Sequence, residues 1–114
     1  MEKKITAQLN RLRVSPRKVR LVADLIRGKK VKEAKSILKF TRKKSAPPLE
    51  KLLLSALANA KHNFQLTEDQ LFIQEIRVDQ GQTLKRFRPV SRGRTAPIAK
   101  RTSRVTIVLQ KYGS

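Results

Sequence analysis

Residues 81–103 constrain the fold more than any other stretch of this chain. They run for 23 residues without an acid and carry seven Lys and Arg. Before them, Phe72, Ile76 and Val78 share one parity, the period of a strand. After them, Val105, Ile107 and Leu109 share one face of a run, 104–110, rich in β-branched residues. A basic stretch bracketed by apolar strands is no terminal tail. It also exceeds the ~12–15 residues of an ordinary structureless loop, which points to function or disorder. The two runs are expected to pair antiparallel and send the stretch out as an arm. Its sequence is symmetric about Gly93. Pro89 and Pro97 lie four residues either side, Arg92 and Arg94 flank it, and Lys85-Arg86 mirrors Lys100-Arg101. A fold at Gly93 sets like basic residues beside each other, where they repel. Each proline also removes a ladder donor. Such an arm is poorly stable alone in water and gains if phosphates screen it. At about 3.3 Å per residue, ~10 residues reach about 33 Å. The plain alternative is a solvated basic loop that binds nothing in particular.

The rest of the chain reads as a small body. Ile5, Ala7 and Leu9 alternate with polar residues, then Leu12 and Val14 change parity, so a bulge or strand end is expected near Asn10–Arg11. Ser15-Pro16 suits an N-cap and first helical residue. Val19, Val22, Ala23 and Ile26 follow on one helical face, widened by Leu21 and Leu25, with Gly28 as the stop. Val31, Ala34, Ile37 and Leu38 repeat the pattern. Ser45 can cap a third helix with Pro47 and Pro48 in its first turn, where N–H groups lack intrahelical partners. Leu49, Leu52, Leu53, Ala56, Leu57, Ala60 and Phe64 keep its face apolar. The expected class is α+β: three helices packed on a small three-stranded antiparallel sheet, with a long protruding β-hairpin, in one domain over 1–114.

The net charge is +20, divided unevenly: 16 basic and 3 acidic residues in 1–44, 3 and 5 in 45–79, 9 and none in 80–114. A near-neutral scaffold thus sits between two basic regions, and the expected partner is a polyanion, nucleic acid first. Leu, Ile, Val and Phe are frequent enough for a modest core. The chain has no cysteine and one histidine, His62, which cannot make a zinc site of the usual kind. His62 reads as structural. Glu68, Asp69, Glu75 and Asp79 are scattered. No phosphate loop, nucleophile elbow or HExxH is present, so neither catalytic site nor cofactor nor metal is expected. No apolar run approaches a membrane span, and Met1-Glu2-Lys3-Lys4 leads into no signal-like apolar stretch.

Three segments then identify a relationship. They are Ser15-Pro16-Arg17-Lys18-Val19-Arg20-Leu21-Val22-Ala23-Asp24-Leu25-Ile26-Arg27-Gly28, Ser55-Ala56-Leu57-Ala58-Asn59-Ala60-Lys61-His62-Asn63, and Val78-Asp79-Gln80-Gly81-Gln82-Thr83-Leu84-Lys85-Arg86-Phe87-Arg88-Pro89 continued by Arg92-Gly93-Arg94 and Lys100-Arg101-Thr102-Ser103. Their order and content resemble the uL22 family of large-subunit ribosomal proteins. The resemblance implies a structural constituent of the large ribosomal subunit, in the cytoplasm or equally in an organelle ribosome, on 23S-type rRNA near the peptide exit, with a part in early assembly. It implies a hairpin, 82–102, that lines the exit tunnel beside large-subunit protein four and meets the nascent peptide. By position the tip is Pro89, Val90, Ser91, Arg92, Gly93, Arg94 and Thr95, and the arms are 84–88 and 98–101. Val90 departs from the family, where Arg is common, and Arg104 stands where His is frequent.

The rRNA contacts expected on the arm are Lys85, Arg86, Arg88, Arg92, Arg94, Lys100 and Arg101, with Arg104 at its base. Arginine suits this role because its planar fork binds phosphate bidentately and stacks on unpaired bases. Phe87 either stacks on a base or covers the stem. On the body, Arg17, Arg20, Asp24 and Arg27 recur on one helical face, with Arg13 and Lys18 nearby, and this face is expected to dock on rRNA. It also fits an ordinary solvated helix face. A second functional class is an architectural DNA binder that drives Pro89 or Pro97 into the minor groove; it would bend generic duplex without preference for rRNA. A membrane-active cationic protein fits less well, since no large apolar face opposes the charge. No small-molecule substrate is expected.

Overall fold

Alternating and 3.6-residue apolar periods become strands and helices largely where expected. The computed structural model describes residues 4–81, 84–89 and 95–111. In chain order they form β1 (Lys4–Leu12), α1 (Pro16–Ile26), α2 (Val31–Phe40), α3 (Ala46–Phe64), a 3-10 turn (Glu68–Gln70), β2 (Leu71–Gln80), β3 (Leu84–Pro89), β4 (Thr95–Lys100) and β5 (Ser103–Lys111). One antiparallel sheet has the order β1-β5-β2, and β3 pairs with β4 in a separate two-stranded ladder. The class is α+β, as anticipated.

The helices bury one face of the sheet. Val19, Val22, Ala23 and Ile26 of α1 and Leu49, Leu52, Leu53, Ala56 and Ala60 of α3 meet Val105, Ile107 and Leu109 of β5. Leu21 and Leu25 do not widen the stripe of α1: they stay 60% and 46% exposed. Ser15 and Ser45 occupy the N-cap positions of α1 and α3, but neither hydroxyl makes a capping hydrogen bond. Gly28 does end α1's chain path, at φ +76°, a conformation costly to residues with a Cβ. α3 instead stops on Gln65 in the left-handed region, φ 55°.

Two bulges set the strand phases. In β1 the register shifts between Leu9 and Leu12, with Arg11 at φ 59°, so Ile5, Ala7, Leu9 and Leu12 all serve the core despite mixed parity. In β2 the shift falls between Ile73 and Glu75. The buried residues are therefore Leu71 and Ile73 before it and Ile76 and Val78 after it. Phe72, expected on the core face with Ile76 and Val78, is put on the opposite parity by the extra residue and is only half-buried.

The hairpin also differs from its expected symmetry. The strands pair two residues out of step with a fold at Gly93: Lys85 stands opposite Ala99, Arg86 opposite Ile98, Phe87 opposite Pro97, Arg88 opposite Ala96, and Pro89 opposite Thr95. The two-residue slide keeps strand parity and removes the like-charge pairs that a fold at Gly93 would impose. Pro89 and Thr95, assigned to the tip, close the ladder instead. The remaining tip positions, Val90, Ser91, Arg92, Gly93 and Arg94, lie outside the described residues. The radius of gyration is 17.2 Å, against about 13 Å for a compact chain of this length, and the long axis spans 65 Å.

At the hairpin's root the Gly81 amide donates to the Thr102 carbonyl at 2.8 Å. A Cβ on Gly81 would lie 2.6 Å from Thr102 Oγ1 and 3.3 Å from its carbonyl carbon and oxygen. Thr102 is buried and has little room to yield. Gly81→Ala should therefore destabilise the body by about 1–3 kcal/mol, seen as a lower urea midpoint at unchanged slope. An unmoved midpoint would mean that Thr102 swings aside freely.

Candidate nucleic-acid interface

The acids are spent first. Lys35 Nζ meets Glu68 Oε2 at 2.8 Å and Lys32 Nζ meets Asp69 Oδ1 at 2.7 Å, tying α2 to the 3-10 turn. Arg77 Nε meets Asp79 Oδ2 at 2.9 Å along β2. Exposed pairs of this kind contribute little stability. Each pair cancels one local positive charge.

The expected basic face of α1 is divided. Arg20 Nη2 donates to the Val78 carbonyl at 3.0 Å and Arg27 Nη2 to the Ile76 carbonyl at 2.9 Å. Arg27 also pairs with Asp24. The Gly28 amide donates to Ile73 O, and the Ile73 amide to Lys29 O. A Lys30–Phe72 bridge extends this contact. The outer edge of β2 is thus covered along its length, which protects it from pairing with another chain. Sequence periodicity placed Arg20 and Arg27 on a polar face, but not their carbonyl partners across the fold.

Arg13, Lys18 and Arg101 come together elsewhere. Ser103 Oγ donates to the Val14 carbonyl at 2.6 Å, fastening the β1–α1 loop to the hairpin's root. Beside this joint a groove of about 780 Å³ is lined by Arg13, Lys18, Lys43, Lys44 and Arg101, with Val14 and Leu21 as its apolar part. No acid lines it. Ser15 and Ser45, which precede α1 and α3, line it too, so the positive ends of two helix dipoles open on one space. Neither helix has an acid in its first turn. The backbone donors there are mostly spent. Lys18 and Val19 amides donate to Ser15 O, Ala46 to Lys43 O and Leu49 to Ser45 O, while Pro16, Pro47 and Pro48 have none. Anion binding in this groove falls to side chains.

Lys43 and Lys44 were missed in the sequence reading. The only signal was the run Arg42-Lys43-Lys44 before Ser45, and nothing local shows that this loop meets the β1–α1 loop. Arg104 lies apart, in a cleft of about 370 Å³ with Gln8, Asn10, Arg11 and Gly81. Arg17 is exposed near the start of α1. Lys85, Arg86, Arg88 and Lys100 are placed only as register positions of β3 and β4, and Arg92 and Arg94 fall outside the described residues. His62 is exposed near the end of α3, in a shallow depression with Ala58, Asn59 and Lys61. No described helix is long and apolar enough to cross a membrane.

Comparison with known proteins agrees with the resemblance read from the three segments. The family model described as Ribosomal protein L22p/L17e matches residues 7–110. Large ribosomal subunit protein uL22 of Macrococcus caseolyticus is 56% identical over 109 residues, covering 96% of this chain and 86% of the relative. The protein of the same name from Staphylococcus aureus is 54% identical over 109 residues, covering 96% and 92%.

Proposed function

The chain belongs to the uL22 family of large ribosomal subunit proteins, and from that premise we propose that it binds large-subunit rRNA through the groove-bearing face of its body and through its hairpin. It is a structural component of the large subunit and not an enzyme; in bacteria that subunit is cytoplasmic. The observation that carries the rRNA reading is the segregation of charge. The acids Glu68, Asp69 and Asp79 are consumed by neighbouring cations, whereas the groove at the hairpin's root and the whole stretch 81–103 contain none.

The division of labour follows from the two parts. The body docks, presenting Arg13, Arg17, Lys18, Arg101 and Arg104 to phosphates. The arm, 82–102, enters the subunit with Lys85, Arg86, Arg88 and Lys100 along its strands and Arg92 and Arg94 at its tip. It lines the exit tunnel, next to large-subunit protein four and the nascent peptide, and by bridging distant rRNA segments it supports early assembly. A photo-crosslinker in place of Ser91 should capture a stalled nascent peptide in large subunits isolated with the chain at low salt. Absence of the chain from large subunits isolated at low salt would refute the docking. Retention without peptide capture would refute the tunnel position.

A further inference from the structure

We infer that the groove between the β1–α1 loop, the α2–α3 loop and the hairpin's root seats a single-stranded turn of RNA, with its phosphates on the cations and an unstacked base against Leu21 and Val14. The inference rests on the rRNA reading above and specifies which RNA element this one site takes.

Charge comes first. Arg13, Lys18, Lys43, Lys44 and Arg101 approach one another with no acid among the lining residues. Five cations so placed repel in the free protein, and the positive ends of α1 and α3 add to that potential. An anion relieves all of it at once.

Ser45 adds a polar group to the groove wall. It is 3% exposed yet lines the groove, and its hydroxyl makes no capping bond to α3. A hydroxyl in that position usually serves the helix. Here the first turn leaves it little to cap, because Pro47 and Pro48 have no N–H and the Ala46 amide is already bonded to Lys43 O. A serine hydroxyl at the wall of the groove can donate to a phosphate oxygen.

Shape and the apolar part select the form of the RNA. The groove is concave, and about 780 Å³ lies within the ~300–1,000 Å³ of sites that enclose a small organic ligand. A duplex presents phosphates on a convex surface and keeps its bases stacked, so it can touch the rim but leaves Leu21 in water. Leu21 is 60% exposed although its helix neighbours Val19 and Val22 are buried. An unpaired nucleotide covers it, since single-stranded loops and bulges are where bases splay out to meet protein side chains.

The test uses the full chain with methyl-labelled Leu and Val, titrated with decauridylate, an RNA duplex of the same length, a polyglutamate peptide and inorganic phosphate. Decauridylate should shift the Leu21 and Val14 methyl resonances. The other three should leave these methyls nearly unmoved. Leu21→Ser, at an exposed position that does not support the core, should weaken decauridylate about fivefold and leave duplex affinity unchanged. The Lys43→Gln, Lys44→Gln double variant should weaken both RNAs. Equal methyl shifts with duplex or with polyglutamate would overturn the single-strand assignment. Decauridylate binding with unmoved Leu21 and Val14 methyls would overturn the groove but leave the rRNA reading intact. Failure of both RNAs to bind would remove the rRNA reading with it.

Discussion

Raising monovalent salt from 50 to 200 mM should weaken binding of this chain to large-subunit rRNA by about four to five orders of magnitude. The estimate follows from counting the cations of the acid-free groove and of the acid-free arm. Five line the groove, and Lys85, Arg86, Arg88, Arg92, Arg94 and Lys100 lie on the arm. If roughly ten of these each neutralise one phosphate, counterion release gives a log–log slope near −7 on single strands and −9 on duplex. The cations that hold the acids, Lys32, Lys35 and Arg77, contribute less, because a neighbouring carboxylate already screens them. A slope shallower than about −3 would mean that affinity comes from uncharged contacts, and the segregation of acids from cations would then have no bearing on binding. Filter binding of the chain to large-subunit rRNA across a salt series measures this directly.

Much of the body was legible because a local signal coincided with the tertiary outcome. Val19, Val22, Ala23 and Ile26 are spaced for one helical face and are buried on it. The parity change after Leu9 announced the β1 bulge. The exceptions share a cause. The width of an apolar stripe depends on how many elements pack against the helix, which periodicity does not report, and so Leu21 and Leu25 were assigned to a core that ends short of them. The extra residue in β2 falls amid Ile73-Gln74-Glu75, where no glycine or proline marks a bulge. A palindrome suggested a fold at Gly93, but register follows which residues can tolerate being opposite, and a shift of two relieves the repulsion. The site was legible as charge and not as geometry. The sequence distinguishes cations with acids beside them from cations without, yet only the fold reveals that Arg20 and Arg27 reach the β2 carbonyls and that Lys43 and Lys44 face Arg13 and Lys18.

Replacing residues 82–101 by Asn-Gly should leave a body that unfolds in one cooperative transition while rRNA binding falls steeply. The core cluster of the body is made by residues in 5–78 and 105–109. β2 and β5 stay in register to Gln80–Ser103, and the Gly81 amide bonds Thr102 O beyond that pair. Gly81 and Thr102 thus already stand as the last pair of a hairpin, and two residues of type I′ preference suit the right-handed twist between them. Shortening a loop of twenty residues to two lowers its closure cost by about 2 kcal/mol, which offsets the lost β3–β4 pairing, so stability should hold or rise. Binding loses seven Lys and Arg with the segment, and the salt slope should become shallower by about 5 to 6. The groove keeps four of its five cations, so weak single-strand affinity should persist and Leu21→Ser should still reduce it. Loss of the cooperative transition in urea would show that the hairpin belongs to the folding unit. An unchanged salt slope would show that the arm's charge never meets phosphate, and that the body alone carries the RNA.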